Sequence, residues 1–155
     1  MLAAPLAASA AQTATDTVNG LEYFATPNHG KFVGTADGAL PGGWNIDVRH
    51  TKLCVSCTTA ATIMGGSFQL ATRAQGVLTL ITGAFRGGTV EVVRAGTRCT
   101  NQSFAVRGIL RQVGPWHRGS GTGAFTATLT HFRHSIFGRC VTYAASVKGT
   151  LRLSF

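Results

Sequence analysis

The chain has 155 residues, a length that fits one compact domain and leaves little room for a second. Hydrophobic residues make up 45% of the sequence and charged residues 12%, a balance that excludes a disordered chain. No apolar run approaches the roughly 18 residues of a helical membrane span, so no membrane span is predicted.

The charge balance is strongly positive. Fourteen Lys and Arg residues against five Asp and Glu residues give a formal net charge of +9. Such a surplus creates a positive field around a small protein and favours anionic partners. The basic residues are scattered, without a block of five or six and with few aromatic residues beside them. We therefore expect loose contact with anionic polymers and no specific nucleic-acid binding.

The first residues resemble a processed targeting segment. Residues 1–12 are uncharged and contain Ala-Ser-Ala at 8–10, the small-x-small pattern that signal peptidase accepts. We interpret them as the tail of a secretory leader, with a disordered Ala-rich terminus as the alternative. The following residues are polar, so regular structure is expected to begin near Lys31. The prediction is a leader remnant and irregular segment over 1–30, and one secreted domain over 31–155.

Four cysteines beside a leader-like start predict two disulfides; they are Cys54, Cys57, Cys99 and Cys140. Of the three pairings we favour Cys54 with Cys57 and Cys99 with Cys140, because the last two flank successive loop regions; the sequence leaves the other pairings open. A structural zinc site usually takes two close cysteine pairs, and this chain has one. A thioredoxin-type redox centre at Cys54 and Cys57 is disfavoured, because no strand-helix-strand context surrounds these two residues.

Apolar residues recur at every second position in segment after segment, which is typical of β-strands. In the clearest segment, 141–155, one face carries Tyr143, Leu151 and Leu153 while the other carries all the charge. Seven further strands are predicted at 31–39, 44–50, 65–72, 76–82, 88–95, 104–111 and 125–131. The turns between strands are expected at glycine-bearing sites, namely 41–43, 65–66, 87–88, 114–115 and 137–138.

Eight short, evenly spaced strands are the signature of a sandwich or a closed antiparallel barrel. Closure is favoured because alternation persists in the last strand, and an open sheet would leave long edges exposed to pairing. The predicted fold is therefore all-β: a single closed antiparallel eight-stranded barrel after an irregular N-terminal segment.

Three stretches carry a resemblance to a known superfamily: GSGTGAFTATLTH at 119–131, GGSFQL at 65–70 and the closing KGTLRLSF at 148–155. Together they resemble small secreted bacterial β-barrel proteins similar to the allene oxide cyclase and dirigent barrels, over about residues 31–155. The resemblance implies a barrel with a mostly apolar lumen, in families that direct cyclisation or coupling of small hydrophobic molecules without a cofactor. The acidic and asparagine residues of those pockets have no matching motif here, so no catalytic residue is carried over.

Five side chains are candidates to line a ligand site if the apolar faces point into the lumen; they are Trp44, His50, Phe125, His131 and Tyr143. The histidines and the tyrosine have polar tips that can orient a ligand or move a proton near neutral pH. For each of these three residues, the alternative is an ordinary core or rim residue whose polar group is hydrogen-bonded within the protein. The tryptophan and the phenylalanine are more typical of packing than of a binding platform.

Other chemistry finds little support in the sequence. There is no Gly-x-Ser-x-Gly motif for a nucleophile, and the glycine-rich 119–123 lacks the lysine of a phosphate loop. His131 and His134 would point to opposite faces of a strand, which disfavours shared metal ligation, and no cofactor or metal is predicted. Asp47 and Glu91 fall on polar faces and are expected to pair with arginines outside the barrel.

The leading functional hypothesis is a secreted barrel that binds a small hydrophobic molecule in an apolar lumen. If it is an enzyme, the resemblance implies a cofactor-independent cyclase or isomerase. The alternative is a non-catalytic extracellular interaction or structural module with a cationic surface. The Thr- and Ala-rich outer faces would also suit packing against further copies in a homo-oligomer.

Overall fold

The computed structural model describes residues 11–57, 59–115 and 119–155. The predicted cleavage pattern at 8–10 lies outside the described residues. In the ranges that are described, no helix is long and apolar enough to cross a membrane.

Eight strands form one closed antiparallel barrel in which each strand pairs with the next and the last pairs with the first. The strands are β1 (Thr13–Thr26), β2 (His29–Gly38), β3 (Gly42–His50), β4 (Ala61–Thr72), β5 (Thr79–Arg94), β6 (Gln102–Pro115), β7 (Gly121–Ile136) and β8 (Arg139–Ser154). Short 3-10 turns lie in two of the connections, at Ala74–Gly76 and Thr97–Cys99. The prediction of an all-β closed eight-stranded barrel is confirmed.

Regular structure begins at Thr13, so the prediction of an irregular segment up to residue 30 is wrong for its described part. Along β1 every second residue from Ala14 to Val18 is buried. Asp16 interrupts the apolar pattern of this inward face, which is why the sequence reads as a polar segment. One carboxylate oxygen, Oδ1, accepts a hydrogen bond of 2.7 Å from the backbone N–H of Leu40, whereas the buried Oδ2 has no partner among the described residues.

The predicted strands 76–82 and 88–95 are parts of a single strand, β5. Gly87 and Gly88 form no turn; the register with β6 shifts between Phe85 and Gly87, which is a β-bulge. Gly88 has a φ of +124° and lies against the carbonyl oxygen of Arg107, so a side chain has no room there.

The glycine pair at 65–66, also predicted as a turn, lies inside β4, whereas the predicted turn at 137–138 is confirmed. The predicted number of eight strands is nevertheless correct, because the prediction omitted β1 and counted β5 as two strands.

Inward-facing side chains fill the barrel. The ring of Trp44 lies across Gly20 and Gly34, which pair between β1 and β2; a Cβ at either glycine would come within 2.6 Å of its Cζ2. Its Nε1–H donates to the carbonyl of Thr35 at 2.9 Å, and its ring centroid lies 5.9 Å from that of Phe125. The remaining central void is about 10 Å³, the size that about one water molecule needs. The centre of the lumen is a packed core.

Four connections gather at one end of the barrel, which we call the disulfide end: those after β1, β3, β5 and β7. The disulfide Cys54–Cys57 lies in the connection after β3, and Cys99–Cys140 joins the connection after β5 to the start of β8. The favoured pairing of the four cysteines is confirmed.

Candidate functional site

The strands β1 and β8 separate before they reach the disulfide end. Their pairing runs from Thr13–Ser154 to Leu21–Ser146. Beyond that point β1 continues beside β2, and the first part of β8 runs beside β7. Within the described chain the barrel wall therefore has a gap between these two strands, which we call the seam.

A bulge on each side accounts for the seam. In β1 the register with β2 skips Tyr23, since Glu22 pairs with Phe32 and Phe24 with Lys31. In β8 the register with β7 skips Tyr143. An extra residue bends a strand and increases its twist, so two bulges at the same level turn β1 and β8 apart. Each of these tyrosines is the extra residue of a bulge, and the same bulge that opens the gap places the tyrosine at its rim.

The seam contains a cleft of about 310 Å³ that is open to solvent. This volume lies at the lower end of the range for small-molecule pockets, roughly 300 to 1,000 Å³. Aromatic residues and alanines dominate its lining, which consists of Glu22, Tyr23, Phe24, Ala25, His131, Thr142, Tyr143, Ala144 and Ala145. The cleft thus combines an apolar wall with one pair of ionisable groups.

The side chains of Glu22 on β1 and His131 on β7 meet at the seam. The Nε2–H of His131 donates to Oε2 of Glu22 at 2.6 Å, and 18% of the histidine side chain and 7% of the glutamate side chain are exposed. The imidazole also packs edge-on against Phe104, with ring centroids 5.1 Å apart. A hydrogen bond to a carboxylate with so little access to water is of the strong, charge-assisted kind.

A second, smaller space lies on the inner side of this pair, at the mouth of the barrel. Its volume is about 60 Å³, and Glu22, Ala25 and His131 line it as well as the seam. The connection after β3 covers this mouth, since the N–H of Leu53 donates to the carbonyl of Pro27 at 2.8 Å. The Glu22–His131 pair therefore separates a narrow inner cavity from a larger outer cleft.

The five predicted ligand-site residues are not brought together. Trp44 and Phe125 belong to the packed core. His50 lines the mouth cavity, where its Nδ1–H donates to the carbonyl of Thr51 at 2.7 Å. Tyr143 is 65% exposed, so its predicted place inside the lumen is wrong; the bulge in β8 breaks the alternation on which that prediction depended. His131 shares the mouth cavity with His50 and the seam with Tyr143.

Glu22 is the site residue that the sequence analysis missed. It falls in the segment predicted as irregular, and a carboxylate does not look like part of an inward face. The signal was nevertheless present, because Glu22 stands an even number of positions after Ala14 and Val18, which are buried in β1.

A separate ionic cluster lies on the outer face of the barrel. Asp47 Oδ1 accepts a hydrogen bond from His29 Nε2 at 2.7 Å, and Oδ2 lies 3.5 Å from Lys31 Nζ. The predicted arginine partner of Asp47 is therefore wrong, whereas Glu91 pairs with Arg107 at 3.3 Å as expected. Burial raises the pKa of Asp47, but the hydrogen bond and charge of His29, with Lys31, outweigh it and lower the net pKa below 3.8.

This lowered pKa gives Asp47 a defined effect on acid stability. Because the folded pKa lies below the unfolded one, the ion pair stabilises the protein above about pH 4 and is lost as the pH falls through the folded pKa. We expect Asp47→Asn to cost up to about 1 kcal/mol at pH 7, the size of an exposed pair, and nothing once the pH is below the folded pKa. Urea unfolding measured from neutral to acidic pH, with the exposed Asp37→Asn as control, would reveal a pH-independent difference if the account were wrong.

Comparisons of the chain with protein-family models, with curated proteins and with solved structures found no match. The resemblance to allene oxide cyclase and dirigent barrels therefore stays a prediction.

Proposed function

We propose that the protein binds a small hydrophobic molecule in the seam and holds its polar group at the Glu22–His131 pair. The position of that pair carries the proposal: two ionisable side chains, hydrogen-bonded at 2.6 Å and largely shielded from water, form the floor of a cleft of about 310 Å³. The centre of the lumen is filled, so the proposed site lies in the wall of the barrel and not on its axis.

The lining favours a flat or ring-containing molecule with one polar group. Tyr23 and Tyr143 offer exposed ring surfaces at the two rims. The small side chains of the alanines at 144 and 145 leave space for a ligand between these rings. The carboxylate of Glu22 accepts hydrogen bonds, so it suits a hydroxyl or amine donor on the ligand. An apolar cleft with a single polar anchor is the common design of small-molecule sites.

The same two groups supply what a cofactor-independent isomerisation requires. The Glu22 carboxylate can take a proton from a bound molecule and return it at another atom of that molecule, and the Nε2–H of His131 holds the carboxylate in place through their hydrogen bond. This chemistry agrees with the class of reaction that the family resemblance implies. We include proton transfer within the bound molecule in the proposed function.

The binding test uses N-phenyl-1-naphthylamine, a neutral aromatic amine whose fluorescence rises in apolar surroundings. We expect Ala144→Phe, which places a ring in the cleft, to abolish the fluorescence rise. Glu22→Gln should weaken binding by roughly tenfold, since hydrogen bonds to charged groups contribute about 1.4 kcal/mol more than weak neutral ones. Ala71→Phe is the matched control, because Ala71 is also an exposed strand alanine but lies on β4, away from the seam.

Salt separates this proposal from the cationic-surface alternative. Binding of a neutral molecule in a cleft should not change with ionic strength, whereas contact with anionic polymers should weaken steeply.

Equal binding of the probe by the wild type, Ala144→Phe and Glu22→Gln, with circular dichroism showing all three folded, would exclude the seam as the site.

A further inference from the structure

At the disulfide end the last two strands continue as a pair beyond the points where they separate from their neighbours β6 and β1. The pairing of β6 with β7 ends at Gln102–His131, and that of β1 with β8 ends at Leu21–Ser146. In the described chain, residues 132–145 therefore continue as a two-stranded ribbon, which we call the projecting hairpin. The disulfide Cys99–Cys140 fixes one side of it to the connection after β5.

The tip of the projecting hairpin carries a fully exposed aromatic residue. Phe137 has a relative exposure of 102% and a φ of +49°, and Gly138 follows with a φ of +74°. Two-residue turns of this kind favour asparagine before glycine, and a bulky side chain with positive φ is costly. Full exposure means that no contact inside the protein offsets this cost. Phe137 is thus suited to a surface outside the molecule.

Further apolar side chains continue from the tip along the hairpin. Ile136, Val141 and Tyr143 are each between 40% and 65% exposed. The ring of Tyr143 lies 6.4 Å from that of Phe132, which places both aromatic residues on one side of the ribbon. The result is a mainly apolar edge that begins at the tip and ends at the rim of the seam, with His134 beside Val141 as its polar member.

Basic residues lie beside this apolar edge, in a part of the sequence that has no acidic ones. The sequence contains no acidic residue after Glu91, but it contains nine basic ones: Arg94, Arg98, Arg107, Arg111, Arg118, Arg133, Arg139, Lys148 and Arg152. Arg139 adjoins the tip, and the disulfide holds the segment that carries Arg98 beside the hairpin, whereas the guanidinium of Arg133 donates to the carbonyl of Gly96 at 2.9 Å. The side chain of Glu91 already pairs with Arg107.

We propose that the projecting hairpin docks the protein onto an anionic lipid bilayer. Phe137 and Ile136 enter the boundary between headgroups and acyl chains, and Arg98 and Arg139 contact anionic headgroups. A bilayer matches this order of features because its charged layer lies directly above an apolar one. A second copy of the chain would bring like charges together, so charge complementarity favours lipid over self-association.

Sedimentation with vesicles tests the proposal. We expect the protein to partition onto vesicles of phosphatidylcholine mixed with phosphatidylglycerol, and not onto vesicles of phosphatidylcholine alone. Phe137→Asn should reduce partitioning by roughly tenfold or more, the equivalent of burying one phenylalanine side chain. Arg139→Gln should reduce it by about fivefold, the contribution of one basic residue near a charged membrane.

Phe137→Asn is a favourable variant because asparagine suits the turn, so a loss of binding will not come from misfolding. The matched control is Val77→Asn, since Val77 is 65% exposed in the connection at the opposite end of the barrel. Partitioning that Phe137→Asn leaves unchanged, or that requires no anionic lipid, overturns the proposal. It is also overturned if light scattering shows a wild-type dimer that Phe137→Asn dissociates and vesicles are not bound. Binding of N-phenyl-1-naphthylamine in the seam is measured on the same Phe137→Asn variant. If the variant binds the probe, the proposed ligand site holds whether or not the vesicle-binding proposal fails.

Discussion

Replacing Trp44 by alanine is expected to lower the free energy of unfolding by about 4 kcal/mol, within the range for deleting a large buried aromatic side chain. The indole fills the space above Gly20 and Gly34, two positions that have no side chain to move into the vacated volume. The substitution also leaves the carbonyl of Thr35 without the Nε1–H that donates to it at 2.9 Å. Loss of packing and loss of a buried hydrogen bond therefore act in the same direction.

Two variants make the measurement specific. Trp44→Phe keeps an aromatic ring but has no N–H donor, so its loss of stability should be smaller than that of the alanine variant. Asn45→Ala changes the neighbouring, exposed residue of β3 and should stay within about 0.5 kcal/mol of the wild type. Urea unfolding of the three variants would contradict the packed-core account if Trp44→Ala lost less than about 1 kcal/mol.

The fold could be predicted because two-residue alternation depends on local sequence and on burial. On β8 the residues Val147, Leu151 and Leu153 are buried as the pattern indicates. Errors arose where a position departed from that pattern. The buried Asp16 made β1 look irregular, and glycines inside β5 looked like a turn because a bulge and a turn require similar backbone freedom.

The candidate site was much less accessible to prediction. It depends on two bulges, at Tyr23 and Tyr143, whose positions are set by pairing with β2 and β7 and not by the residues themselves. It also depends on contact between Glu22 and His131, which are 109 positions apart in the sequence. His131 can be predicted because it continues the apolar face of β7, whereas the inward position of Glu22 depends on β1, a strand that the polar sequence around Asp16 conceals.

The seam and the projecting hairpin have a common structural origin. Where β8 leaves β1, the edge of β1 faces a gap, and β7 and β8 must continue as a pair without lateral support from β1. Tyr143 lies at the rim of the seam and on the apolar edge of the hairpin.

Removing the disulfide between Cys99 and Cys140 is expected to be the other large effect on stability. The two residues are 41 positions apart, and closing a loop of that length restricts the unfolded chain by about 4 kcal/mol in the chain-entropy model. The paired substitution Cys99→Ser and Cys140→Ser avoids a free thiol. The projecting hairpin is also held near its base, where the N–H of Arg133 donates to Oδ1 of Asn101 at 3.1 Å and its Nη1 donates to the carbonyl of Gly96 at 2.9 Å. The destabilisation should therefore be accompanied by faster backbone hydrogen exchange nearer the tip, in residues 134–141.

The second disulfide provides the matched control. Cys54 and Cys57 are three positions apart, and the same model assigns so short a loop about 2 kcal/mol. Their paired substitution by serine should therefore have about half the effect on urea unfolding and should leave hydrogen exchange in the hairpin unchanged. Equal losses from the two pairs, or protection of the hairpin without Cys99–Cys140, would mean that strand pairing between β7 and β8 and the hydrogen bonds of Arg133 hold the ribbon in place without the disulfide.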